Sequence, residues 1–259
     1  MKLRFVSLFC MLLCTATVCA ASPPEEDFAR MLRQALKKHP ELVLDVLRDH
    51  SESVLDIAQQ GSNIRRKKNM ENQWREDLKQ PKSVATANRP VLGPADAPVM
   101  VVAFSDFTCP YCQQAADVLD RILRARPQDV KVLFKHMPHG KDSPARLAAE
   151  YFVAASFQND RAPWLLYKSF FAEPEKLAAE AQKFTAKAAE QAGLDMKKLA
   201  TDLKSKKTAA IIEEDQADAK KLNIEGTPYF LVNNLTVRGA VSYDLFNAAV
   251  DMALANGKK

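Results

Sequence analysis

Residues 99–104 (VMVVAF) form an unbroken apolar, β-branched run within a chain of 259 residues. Such a run marks a strand buried on both faces, so the chain must build layers above and below it. Next, residues 115–126 place Val118, Leu119, Ile122 and Leu123 on one side of a helix. Residues 130–136 (VKVLFKH) give a second strand, and residues 143–222, rich in Ala, Glu, Lys and Leu, read as four or five helices without a strand. Residues 229–232 (YFLV) and 235–239 are strands joined by Asn233-Asn234, a good hairpin turn, and 243–255 closes as a helix. The order predicts an α/β domain over 99–259 with a helical insertion at 143–222. There is no internal repeat or low-complexity segment.

Upstream of that domain the composition changes. Lys2 and Arg4 precede a mostly apolar stretch, 5–18, which ends in Cys19-Ala20-Ala21-Ser22. That is the pattern of a signal peptide over 1–21, cleaved after Ala20 or Ala21. The stretch is too short for an ordinary membrane span of about 20 residues. Cys19 lies near the cut, but bulky Val18 fits lipid attachment poorly, so an exported, unanchored protein is expected.

Residues 22–80 carry helical periodicity: Phe28, Met31, Leu32, Ala35 and Leu36, then Val43, Leu47, His50, Val54 and Ile57 in a heptad-like seam. Leu42, Leu44, Val46 and Leu55 widen it. His39-Pro40 interrupts the first stretch, and Gly61-Ser62-Asn63 is expected to break the second before a stretch with Met70, Trp74 and Leu78. These helices hold too few large residues for a core of their own. Their stripes are expected to pack on a second copy, making this an oligomerisation segment, with their own domain as the other possibility. Residues 81–98 contain Pro81, Pro90, Pro94 and Pro98 and read as a linker.

Charge excludes more than it assigns. Of 37 basic residues the leader holds two, so the mature chain carries 35 − 32 = +3, too little and too dispersed to indicate nucleic acid or a membrane surface. The run Arg65-Arg66-Lys67-Lys68 reads as a solvated helix face or flexible joint.

Export makes the cysteines informative. Of five, Cys10, Cys14 and Cys19 leave with the leader, and only Cys109 and Cys112 remain. A bridge closing so short a loop removes little unfolded-chain entropy, so it is a weak staple, and a chain this long needs none. The pair is there for chemistry. Cys109-Pro110-Tyr111-Cys112 lies between a buried strand and an amphipathic helix, so it opens that helix. Unpaired backbone N–H groups and the positive end of the helix dipole favour a thiolate at Cys109. Pro110 suits the first helical position, and Cys112, three residues on, faces the same side. Cys109 then reads as the nucleophile of thiol–disulfide exchange and Cys112 as the resolving thiol. A zinc site would want four ligands; His39, His50, His136 and His139 are not in register with the pair, so no metal is expected. Soft Cu(I) binding by two thiolates remains chemically possible.

Residues 104–112 (FSDFTCPYC), with Gly226-Thr227-Pro228-Tyr229-Phe230 far downstream, resemble the DsbA-like thioredoxin-fold proteins. Pro110-Tyr111 and Thr227 are similar to the ScsC and DsbG branch, as is His39-Pro40-Glu41-Leu42 in the helical extension. The resemblance implies a thioredoxin-like fold, a cis Thr227–Pro228 bond facing the cysteines, and substrate binding at Thr227 and Pro228. It implies no cofactor beyond the Cys109–Cys112 redox pair. The partners it implies are unfolded or misdisulfided exported proteins, a membrane redox partner that recycles the site, and a homo-oligomer, a trimer being favoured. The location it implies is the periplasm. The expected function is a multimeric disulfide isomerase or reductase. A monomeric dithiol oxidase and a copper-binding or surface interaction protein are the alternatives. One departure stands out: where many relatives place an acid six residues before the first cysteine, this chain has Ala103, so proton handling at Cys112 must rely on other groups or water.

Overall fold

The computed structural model describes residues 25–257, so the expected leader and its cleavage site lie outside the described residues. The chain divides into two compact units, Met1–Ser62 and Asn63–Lys259. In the first, α1 (Glu25–Lys38) and α2 (Glu41–Asp49) are separated at His39-Pro40, as the proline requires, and α3 (Ser51–Asp77) begins after a second break at His50. His50 has φ −115° and ψ 31°, so the expected continuous seam from Val43 to Ile57 is divided between two helices. Gly61-Ser62-Asn63, expected to end a helix, instead lies inside α3. A glycine costs a helix only about 1 kcal/mol relative to alanine, and strong helix formers flank this one. Phe28, Leu42, Val46, Leu55 and Ile57 stand more than half exposed in the single chain.

The second unit is built on a five-stranded sheet, with the elements β1 (Val91–Leu92), β2 (Val99–Ser105), α4 (Pro110–Ala125), β3 (Val130–His136), α5 (Pro144–Ser156), α6 (Ala162–Ala172), α7 (Pro174–Ala179), α8 (Ala181–Gln191), α9 (Met196–Leu203), α10 (Lys206–Lys221), β4 (Tyr229–Val232), β5 (Leu235–Arg238) and α11 (Tyr243–Gly257). The sheet order is β1-β3-β2-β4-β5. Strand β2 pairs parallel with β3, Val99 opposite Val130 through Ser105 opposite His136, and antiparallel with β4. Its residues alternate between two cores: Val99, Val101 and Ala103 pack with the α4 face, and Val102 and Phe104 with Leu133, Ala219 and Ile224. That double burial is what the apolar run demanded.

Two local expectations need correction. The insertion holds six helices, because short α7 is set off from its neighbours by single residues, Glu173 and Glu180, that serve as caps on both sides. The proline-bearing stretch read as a linker contains β1, which pairs antiparallel with β3. Two residues are too few to show a period of two. Gly93, just after β1, has φ +109°, and a Cβ there would meet the Val130 carbonyl oxygen at 2.6 Å, so only glycine lets the chain pass.

The edge strand β5 is closed by side chains from the end of α3. The fully buried Trp74 donates its indole N–H to the Thr236 carbonyl at 2.7 Å, and the Thr236 N–H donates to the Asp77 carboxylate at 2.8 Å. Lys82 Nζ donates to the same carboxylate at 2.8 Å and to the Asn234 carbonyl at 3.0 Å. Burial by itself would raise the Asp77 pKa, but the Lys82 and Thr236 hydrogen bonds, the Lys82 charge and the Gln73 amide outweigh it, leaving the acid below its ordinary value. An acid whose pKa is depressed by folding stabilises above its unfolded value and loses that contribution as pH falls through the folded one. The prediction is that Asp77→Asn melts below wild type at pH 7, and that the gap narrows as pH drops below about 4. A gap constant from neutral to acid would mean the charge contributes nothing.

Candidate active site

Cys109 is the N-cap of α4, with extended φ −82° and ψ 121°, and Pro110 takes the first helical position, as the sequence predicts. The Cys112 and Gln113 N–H groups donate to the Cys109 carbonyl at 3.0 and 3.2 Å, closing the first turn. Both cysteines are free thiols; Cys109 is partly exposed and Cys112 is 1% exposed. Tyr111 projects outward at 62% exposure, beside Cys109, the more accessible of the two sulfurs of the motif.

The loop before the helix is fixed from both ends. Phe107 is buried, stacked on Phe134 with ring centroids 4.9 Å apart, and meets Phe170 and Phe171 at 5.1 Å each. Asp106 holds the backbone: its Oδ1 accepts from Thr108 N and Thr108 Oγ1, both at 2.7 Å, and its Oδ2 accepts from His139 N at 2.9 Å. Gln113 Nε2 donates to the Phe171 carbonyl at 2.8 Å, tying the active helix to the insertion. Phe107→Ala should cost about 3–5 kcal/mol, the usual range for emptying a buried aromatic site, and read as a lower melting temperature.

Thr227 and Pro228, 118 residues after Cys109, come to the same place. The Thr227–Pro228 bond is cis, and the Cys109 thiol donates to the Thr227 carbonyl at 3.7 Å, within the longer reach of sulfur. Every residue singled out from the sequence, Cys109, Pro110, Tyr111, Cys112, Thr227 and Pro228, is therefore in one neighbourhood. His39 and His50 lie in the first unit, and His136 is enclosed by Phe134 and Phe152. Among the described residues no group of three or more His, Cys, Asp or Glu could hold a metal ion.

The two thiols sit in unequal environments. Burial pushes the Cys112 pKa up to about 12, and a negative charge on Cys109 adds to the rise. The polar side chains of Ser105 and Thr227 and the Asp106 backbone pull it back only in part. Cys112 is thus a protonated thiol at neutral pH. Once Cys109 enters a mixed disulfide that charge is gone, and one obstacle to ionising Cys112 goes with it. Sequence reasoning did not single out Ser105 and Asp106. They end the buried strand directly before the cysteine motif, and that adjacency was the available signal.

With this geometry in view, the comparisons with known proteins are specific. The family model described as Thioredoxin matches residues 85–252. A Na(+)/H(+) antiporter NhaA 3 of Salinispora tropica is 32% identical over 170 residues, 65% of this chain and 25% of that protein, so this chain spans about a quarter of the antiporter's length. Disulfide bond formation protein D of Bacillus subtilis is 31% identical over 179 residues, covering 64% of this chain and 77% of the relative. The crystal structure of a thioredoxin-like oxidoreductase from Silicibacter pomeroyi superposes with a TM-score of 0.54 at 29% identity, over 66% of this chain and 94% of that one. The chain belongs to the thioredoxin family and, within it, to the DsbA-like proteins.

Proposed function

We propose that this protein is a thiol–disulfide oxidoreductase of exported proteins, working through Cys109 and Cys112 as a multimeric disulfide isomerase or reductase. One observation carries the reading: a partly exposed sulfur opens a helix beside the Thr227 carbonyl, and a second sulfur lies buried one turn behind it. Cys109 thiolate attacks a substrate disulfide, forming one S–S bond and releasing the other substrate sulfur as a thiolate. Either that released thiolate attacks a different substrate disulfide, or Cys112 displaces the substrate from Cys109. The backbone around Thr227–Pro228 suits an extended chain laid beside the cysteines, as in strand addition.

The high pKa of Cys112 favours the isomerase direction. A resolving thiol that ionises reluctantly lets the mixed disulfide persist, which gives the substrate's own thiols time to reshuffle. The exposed apolar residues of α1, α2 and the start of α3 favour a second copy of this chain as their cover, since contiguous apolar surface of this kind is costly in water. The leader over 1–21 would deliver the protein to the periplasm, where a membrane redox partner would recycle the pair.

A second reading, a dithiol oxidase, is favoured by the 31% identity to a protein named for disulfide bond formation. Reactivation of scrambled ribonuclease separates the two: the isomerase recovers activity without an added oxidant, whereas an oxidase acts only on the reduced enzyme. Light scattering of the mature chain should give a mass above one copy, reduced to one copy by Leu47→Asp with Val54→Asp. A monomeric wild type removes the multimer from the proposal.

A further inference from the structure

We infer that Asp106 is a positioning residue for the first chemical step: its carboxylate ties the turn that delivers Cys109 to the loop after β3, and so holds the Cys109 sulfur beside the Thr227 carbonyl. This rests on the oxidoreductase reading. In the step, the Cys109 thiolate attacks a client disulfide. A Cys109–client S–S bond forms, the client's own S–S bond breaks, and its second sulfur leaves as a thiolate. Asp106 neither gains nor loses a proton.

Asp106 is 6% exposed, and a buried carboxylate has to spend its lone pairs on donors. Its two oxygens reach in different directions. Oδ1 accepts from the Thr108 N–H and hydroxyl, both at 2.7 Å, which fixes the residue just before the nucleophile. Oδ2 accepts from the His139 N–H at 2.9 Å, across to the chain that follows β3. The main chain adds a further hold, the Asp106 carbonyl accepting from the Cys109 N–H at 3.2 Å. Cys109 enters α4 from this turn at φ −82° and ψ 121°, with its sulfur 3.7 Å from the Thr227 carbonyl oxygen.

The link to His139 continues a ladder past the point where the sheet ends. Strands β2 and β3 run parallel as far as Ser105 opposite His136. One residue on, the Met137 N–H still reaches the Ser105 carbonyl at 2.9 Å, and Asp106 then supplies the next rung with its side chain. The far partner is itself anchored. Pro138 is buried, and the Gly140 carbonyl accepts from the hydroxyl of Ser143, the N-cap of α5, at 3.1 Å. An asparagine could serve Thr108 or His139 but not both, because its second terminal atom is a donor that would face an N–H. The need for two acceptor oxygens is what selects an acid here.

The test separates position from reactivity. Iodoacetamide and a peptide disulfide both consume the Cys109 thiolate, so the ratio of their rates cancels its thiolate content. The small reagent approaches from any direction, whereas the peptide has to align along the Thr227–Pro228 loop. The reduced, full mature protein is reacted with each at one pH. The peptide carries a mixed disulfide to an aromatic thiol, whose release absorbs light and reports the first step alone. Asp106→Asn should lower the exchange-to-alkylation ratio about tenfold, part of the roughly hundredfold that an ångström of misplacement can cost a reaction. Asp106→Ala, which frees Thr108 as well, should lower it at least as far. If neither folds by circular dichroism, Thr108→Val, which removes one donor and keeps every backbone bond, should lower the ratio about threefold, since a lone hydroxyl hydrogen bond holds less. A folded variant whose ratio stays within about twofold of wild type, whether both rates fall together or neither moves, overturns the assignment. A wild type that is alkylated but never exchanges would instead defeat the oxidoreductase reading.

Discussion

Cys112→Ser should accumulate substrate as a covalent adduct on Cys109, and Cys109→Ser should form no adduct and lose exchange. The asymmetry follows from burial. Of the two described cysteines only Cys109 is reachable, so its sulfur is the one that can attack a bond in another protein, while the buried Cys112 is placed to reach a disulfide already formed at Cys109. Removing the nucleophile of a covalent mechanism takes away the route, and turnover should fall by at least about a thousandfold. Removing the resolving thiol leaves the first step in place and blocks one exit. The adduct is visible as a band on non-reducing electrophoresis that dithiothreitol dissolves. An equal yield of adduct from both variants would contradict the assignment of roles.

Asp215→Asn should destabilise the protein by about 3–5 kcal/mol, the usual cost of removing one partner from a buried ion pair. In a unit of this size that corresponds to a melting temperature lowered by roughly 6–20 °C. Asp215 is fully buried and accepts from Lys135 Nζ at 2.9 Å, Arg89 Nε at 2.8 Å and the His136 N–H at 2.9 Å. Lys135 is also fully buried and has a second partner in Asp218 at 2.7 Å, which in turn accepts from Ala85 N at 2.7 Å. The cluster fastens α10 and the segment before β1 onto β3. Neutralising its central carboxylate leaves Lys135 to Asp218 and Arg89 to the half-exposed Glu214, and removes the one fully buried counter-charge that the two cations share. Replacing both Lys135 and Asp215 by apolar residues of similar size should recover much of the loss, because a removed pair leaves no stranded charge. A double variant as unstable as Asp215→Asn would show that shape, not charge balance, sets the cost.

The sheet's central strand and the cysteine helix were legible because their signals are local: a run of β-branched residues, then a proline in the first turn. Thr227 and Pro228 became legible only through the resemblance, since nothing in a tetrapeptide tells where a loop 118 residues away will land. The buried cluster around Asp215 was hidden for a related reason. Lys135 sits in a strand pattern whose period it breaks, and Asp215 and Asp218 look like ordinary polar residues of an alanine-rich helix. Their burial is a property of the layer arrangement. The break at His50 and the continuity through Gly61 ran against simple propensity, where differences of about 1 kcal/mol are easily overridden.

The engagement of Thr236 by Trp74 and Asp77 has a consequence for the proposed work on unfolded chains. An unoccupied sheet margin invites any extended segment to join it, and such joining grows into aggregates. Here the outward-facing amide and carbonyl in the middle of β5 are taken by this chain's own indole and carboxylate. A client peptide is thereby denied a docking rail on that side and is left the neighbourhood of the two sulfurs.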